Sequence, residues 1–151
     1  MVNKKRNFSQ FPVSLKLVII WVFLAAIFRL YNGVAGLIST FSINITDWIA
    51  GFVFLRLASG LVSGDNWSRV EAMVWISLGS LIRIYLIAMT ILNSDTTWVI
   101  RFLQYQMPIT KLYGIAFLIV NVMINIGVIL VLLKPEIKNI FVTQAVQQET
   151  T

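Results

Sequence analysis

The sequence predicts an all-α integral membrane protein, with four transmembrane helices in a bundle and both termini cytoplasmic. Three observations carry that expectation. Of the 151 residues 58% are hydrophobic and only 12% are charged, whereas soluble domains carry about 25% charged residues. The apolar residues fall in four blocks, each near the ~20 helical residues that cross a hydrocarbon core. Lysine and arginine are distributed unequally between the segments on either side of those blocks.

The first block, at about residues 17–38, follows the basic cluster Lys4, Lys5 and Arg6. A cleaved signal peptide has a similar start. Here no small-x-small cleavage site follows, and apolar character resumes after Asn32, so the block is expected to be retained. The second span is expected at about 45–62. It opens at Thr46–Asp47, where a carboxylate favours the positive end of the helix dipole. The third, at about 72–92, follows Ser68-Arg69-Val70-Glu71, which fits a capping box with Ser68 as N-cap. The fourth, at about 112–133, stops before Pro135, a residue that ends one helix and can begin another.

Between the third and fourth spans, residues 96–107 place Trp98, Phe102 and Tyr105 at helical spacing, which predicts a short helix lying in the membrane interface. Residues 1–16 are expected as a cytoplasmic segment and 134–151 as a polar cytoplasmic tail, disordered toward its end. With four spans, Lys4, Lys5, Arg6, Lys16, Arg69, Lys134 and Lys138 share one side, and Arg101 and Lys111 the other. Seven against two places the termini inside, in a multi-pass protein of a plasma membrane or bacterial inner membrane.

Composition also excludes functions. The chain has neither cysteine nor histidine, so thiolate or imidazole metal sites, cysteine nucleophiles and histidine bases are ruled out. No acid–base pair stands out, no cofactor is implied, and the expectation is a protein that is not an enzyme. The net charge of +6 does not point to nucleic acid, because the cations are scattered or lie inside apolar runs.

One pattern stands out. A tryptophan followed eight positions later by an arginine occurs as Trp21/Arg29, Trp48/Arg56 and Trp75/Arg83, starting 27 residues apart each time. The arginines fall near the middle of their expected spans, where each charge costs at least about 2.5–3.5 kcal/mol. Such residues need partners. One reading has Arg29, Arg56 and Arg83 converge on an anion or anionic lipid. The other has them satisfied inside the bundle, by Asp47 and Glu71 of neighbouring helices and by Asn121 and Asn125, which lie four apart on one face of the last span. The expected function is therefore binding: an accessory protein of the bilayer, holding an anionic lipid or ligand, with a partner membrane protein or a second copy. The alternative is an oligomeric transporter or channel component for a small anion.

Overall fold

The computed structural model describes residues 8–40, 45–93, 98–102 and 105–149. A 3-10 turn at Phe8–Gln10 leads into α1 (Val13–Thr40), followed by α2 (Ile45–Ser63) and α3 (Asn66–Leu92). The strands β1 (Trp98–Phe102) and β2 (Tyr105–Ile109) come next, then α4 (Lys111–Leu133) and α5 (Pro135–Glu149). Val13–Ala35 of α1 and the whole of α2, α3 and α4 are long and apolar enough to cross a membrane. Between a sixth and a third of each span is buried inside the protein. The rest presents large apolar side chains outward, among them Leu17, Phe28, Leu81, Leu112 and Met123. Surfaces of that kind are stable against lipid rather than water.

The chain forms two compact units. The first comprises residues 1–73 and 130–151, the second residues 74–129; α3 and α4 contribute to both.

In the first unit α1 begins earlier than the expected residue 17. Pro12 closes the approach, its carbonyl accepting the Lys16 amide at 3.1 Å. The Lys16 ammonium in turn bonds the Ser9 carbonyl at 2.7 Å. Phe11, Leu15, Val18, Val22 and Ala26 are buried, at the three- and four-residue intervals of one helix face. The segment before residue 17 is thus partly core.

α1 and α2 pack closely because each offers the other a glycine. A Cβ on Gly33 would lie 2.9 Å from Trp48 Nε1, and one on Gly51 would lie 2.6 Å from Leu30. Each helix thus sets a large side chain over a glycine of its neighbour, the close approach that small residues permit between membrane helices.

α2 ends in a Schellman motif. Gly64, at φ 76°, is its left-handed residue. The Asp65 amide donates to the Gly60 carbonyl at 2.9 Å and the Gly64 amide to the Leu61 carbonyl at 3.2 Å, which matches the 6→1 and 5→2 pattern. Asp65 then serves a second time, as the N-cap of α3. Its Oδ1 accepts the Trp67 amide at 3.1 Å and its Oδ2 the Ser68 amide at 3.0 Å. This corrects the expected capping box. Ser68 lies inside the first turn, buried, with its hydroxyl donating to Asp65 Oδ2 at 2.6 Å. The reason is spatial: Ser68 packs against Gly60, where a Cβ would overlap its hydroxyl.

α5 corrects a second expectation, since the tail is helical through Glu149. Pro135 stands first, Glu136 sits in the first turn, and the Lys138 amide bonds the Lys134 carbonyl at 2.9 Å. Ile137, Ile140 and Phe141 are buried on one face, which gives the helix the tertiary support that a polar 15-mer lacks by itself.

In the second unit the segment expected as an interfacial helix is a β-hairpin. β1 and β2 are antiparallel, with Trp98 opposite Ile109, Ile100 opposite Met107 and Phe102 opposite Tyr105. The spacing of aromatics at 98, 102 and 105 suits a helix, but the residue types decide otherwise. Trp-Val-Ile-Arg-Phe is rich in β-branched and aromatic residues. Pro108 disfavours helix in the residue before it and supplies no N–H to continue one. At the base of this excursion the Lys111 ammonium bonds the Asn93 carbonyl at 2.9 Å and reaches that of Ile91 at 3.5 Å. A cation thus sits at the negative end of α3.

Candidate functional site

The three arginines meet three different environments. Arg29 projects from α1, and its Nη1 donates to Asp47 Oδ1 of α2 at 2.8 Å. Asp47 is buried, while the Arg29 side chain remains 43% exposed. As the third residue of α2, the carboxylate also faces the positive end of its own helix. One acid therefore answers both an arginine and a helix dipole.

Arg56, on α2, donates through Nη2 to Glu71 Oε2 of α3 at 2.9 Å. Glu71 has no part in a capping box. Its side chain is 24% exposed and that of Arg56 is 66% exposed. The contact is a single hydrogen bond, whereas a guanidinium has five donors. Arg56 lies seven residues before the end of α2, about 10 Å along the axis, and its bond to the sixth residue of α3 carries its head toward that end.

Asp47 and Arg56 stand nine residues apart on α2, about 13 Å along the axis. The first two arginines are therefore held in separate ion pairs rather than on one ligand. Each pairs with an acid of the helix that follows its own.

Arg83 lies in the second unit. Its Nη1 donates to the Gly79 carbonyl of its own helix at 2.9 Å. The helix that follows, α4, contains no acidic residue. It carries two asparagines, Asn121 and Asn125. Asn125 is buried, and its Nδ2 donates across to the Ser80 hydroxyl at 3.0 Å. That hydroxyl donates onward to the Ile76 carbonyl at 2.8 Å. Asn121 is half-buried and donates to the Phe117 carbonyl of its own helix at 2.9 Å.

Sequence reasoning missed Arg69. It was counted among loop cations but is the fourth residue of α3, 6% exposed. Its Nε donates to Asn66 Oδ1 at 3.0 Å and its Nη1 to the Leu132 carbonyl at 2.9 Å. It thereby ties the start of α3 to the last turn of α4, where carbonyls are left without helical partners and positive charge is favoured. The sequence held no clear signal for this, because with Ser68 read as the N-cap Arg69 stands at the helix boundary, and the cap at Asp65 is set by the fold.

Asp65 lies outside the spans, in the turn between α2 and α3, and its pKa is moved from the ordinary value. Burial acts to raise its pKa. The bonds from the Ser68 hydroxyl and the Ser68 and Trp67 amides, together with the charge of Arg56, outweigh that, and the net effect is a pKa below the ordinary value.

No group of three acidic residues able to hold a metal occurs among the described residues. No family model, no curated protein and no solved structure matches the chain.

Proposed function

We propose that this chain is a four-span integral membrane protein that acts by binding, with Arg56 recruiting the phosphate of an anionic lipid. The observation that carries this reading is the half-satisfied guanidinium: one hydrogen bond to Glu71, and two-thirds of the side chain facing outward from an apolar helix. In hydrocarbon an outward cation needs an anion from outside the chain. A lipid phosphate at the near interface is within reach of a long side chain that leans that way. The orientation that fits places both termini in the cytoplasm. With Arg69 buried, six basic residues still remain on that side against two on the other.

The test is native mass spectrometry of the purified protein, with thermal unfolding in phosphatidylcholine bilayers with and without phosphatidylglycerol. The wild type should retain phosphatidylglycerol and be stabilised by it, and Arg56→Gln should lose both effects while remaining helical. Equal stabilisation of the two proteins would overturn the proposal.

A second reading, an oligomeric component that moves a small anion, is favoured by one observation: the buried hydrogen bond from Asn125 to Ser80 that joins α3 and α4.

A further inference from the structure

Arg56 and Glu71 share one hydrogen bond, from Nη2 to Oε2 at 2.9 Å. It leaves Oε1 of Glu71 without a donor among the described residues, and the other guanidinium N–H groups of Arg56 without an acceptor there. Glu71 is the sixth residue of α3, about 8 Å from its start, and both side chains are partly exposed. A free carboxylate oxygen and free guanidinium donors therefore stand side by side near the α2–α3 turn.

The acid in the turn itself is engaged. Asp65 accepts the Trp67 amide on Oδ1 and the Ser68 amide and hydroxyl on Oδ2. The charge of Arg56 is one of the causes that lower its pKa, so the field of the guanidinium reaches the turn. Of these two acids, Glu71 carries the oxygen that meets no donor among the described residues.

This arrangement sets a condition on any phosphate that Arg56 recruits. A phosphate brought to the guanidinium also comes beside the Glu71 carboxylate, and like charges at short range repel. A headgroup with a hydroxyl next to its phosphate resolves the conflict. Its O–H donates to Glu71 Oε1 while its phosphate oxygens accept from Arg56, and hydrogen bonds with an ionised partner are the strong ones. A headgroup with the phosphate alone meets the same repulsion with no compensating bond.

We infer that the Arg56–Glu71 pair selects a two-part headgroup, an anionic phosphodiester with a hydroxyl beside it, as in phosphatidylglycerol. Arg56 holds the phosphate and Glu71 accepts from the hydroxyl. The inference rests on the lipid reading of Arg56 and deepens it: the arginine supplies attraction, and the glutamate supplies choice among anionic lipids.

The experiment is thermal unfolding of the full-length protein in phosphatidylcholine bilayers with increasing mole fractions of phosphatidylglycerol or phosphatidylmethanol. The two added lipids carry the same phosphodiester charge, and only the first has headgroup hydroxyls. The background lipid has no headgroup O–H or N–H. In the wild type, half-maximal stabilisation should need about tenfold less phosphatidylglycerol, the scale of one hydrogen bond to a charged group. Glu71→Leu should abolish that preference and leave the response to phosphatidylmethanol no weaker, because a repelling carboxylate is gone. Glu71→Gln keeps an accepting oxygen without the charge and should reduce the preference; it is read in place of the leucine variant if circular dichroism shows that variant unfolded. Arg56→Gln should lose the response to both lipids. Soluble glycerophosphoglycerol should add no stability, and stabilisation by it would overturn the assignment to a lipid. Equal responses of the wild type to the two lipids, or a preference unchanged by the Glu71 variants, would overturn the inference. If Arg56→Gln still abolishes both responses in those cases, recruitment by Arg56 stands and only the selection by Glu71 fails. A wild type that responds to neither lipid overturns both.

Discussion

The two units handle polarity in opposite ways. In the first, charge answers charge: Asp47 takes Arg29, Glu71 takes Arg56, and the cap at Asp65 and the bridge at Arg69 use helix ends as additional partners. In the second, the described polar side chains along α3 and α4 are mostly neutral. Serine, threonine and asparagine bond carbonyls or one another around a single arginine. Between Glu71 and Glu136 the sequence contains one acid, Asp95. In the first unit matched charges join the helices, whereas in the second the described bond that joins α3 to α4 is between neutral side chains. The three arginines, alike in sequence, thus meet different neighbours.

The largest expected effect comes from breaking the buried end of a first-unit pair. Asp47→Ala leaves Arg29 without its acid and removes a negative charge from the first turn of α2. The loss should be about 3 kcal/mol, the range for stranding one partner of a buried pair. Replacing both residues by leucine should recover most of it, because the pair itself contributes little once desolvation is counted. Denaturant unfolding in bilayers or mixed micelles reads both. If the double variant is as unstable as the single one, Arg29 has a role beyond satisfying Asp47. Glu71→Ala should cost only about 1 kcal/mol, since one hydrogen bond is lost and the long Arg56 side chain can carry its head to the interface. Near-equal losses at Asp47 and Glu71 would erase the contrast between a holding pair and a recruiting one.

These distinctions show where the sequence was legible. The four helices were readable because apolar blocks of span length have few alternatives. The acid partners were readable because Asp47 and Glu71 stand near the starts of the helices that follow those of the first two arginines. The hairpin was not, because the aromatic spacing at 98, 102 and 105 satisfies a helical period while β-branched composition and Pro108 favour strands. Nor was the cap of α3. Asp65 and Ser68 are both good cap residues, and the choice between them follows from the turn at Gly64 and the contact of Ser68 with Gly60, which only the fold brings together. The division of the arginines was hidden for a similar reason: identical spacing along the chain says nothing about which helix supplies the neighbour.

An intermediate effect tests whether the tight α1–α2 contact is what keeps the first-unit charges matched. Gly51→Ala places a Cβ 2.6 Å from Leu30 and 3.2 Å from its backbone nitrogen. The side chain can move but the backbone cannot move easily, and overpacking of this kind costs about 1–3 kcal/mol. Adding Leu30→Ala should return part of the loss by relieving the side-chain overlap. The same Gly→Ala change at Gly127 in the second unit, where a Cβ would meet nothing within 4 Å, should be neutral or slightly stabilising through helix propensity. Comparable losses at the two glycines would show that close approach is not special to the first unit.

The smallest effect concerns Asp65, whose charge is tied to the fold through pH. Its folded pKa lies below its ordinary value of 3.8. The folded state therefore holds this proton less readily than the unfolded chain, so the stabilisation is fully present above the unfolded value. It is lost as pH falls from there through the lowered folded value. Asp65→Asn keeps an oxygen that can cap α3 but removes the charge and its titration. At neutral pH the wild type should be the more stable by no more than about 1 kcal/mol, the scale of a cap. The advantage should shrink as the pH is lowered through 3.8 and be lost once it has passed the lower folded value. The two proteins differ at this position alone, so the comparison isolates Asp65. Parallel stability curves for the two proteins across this range would mean that the α2–α3 turn is held by the Schellman bonds and the Ser68 packing alone, and that its carboxylate contributes geometry without charge.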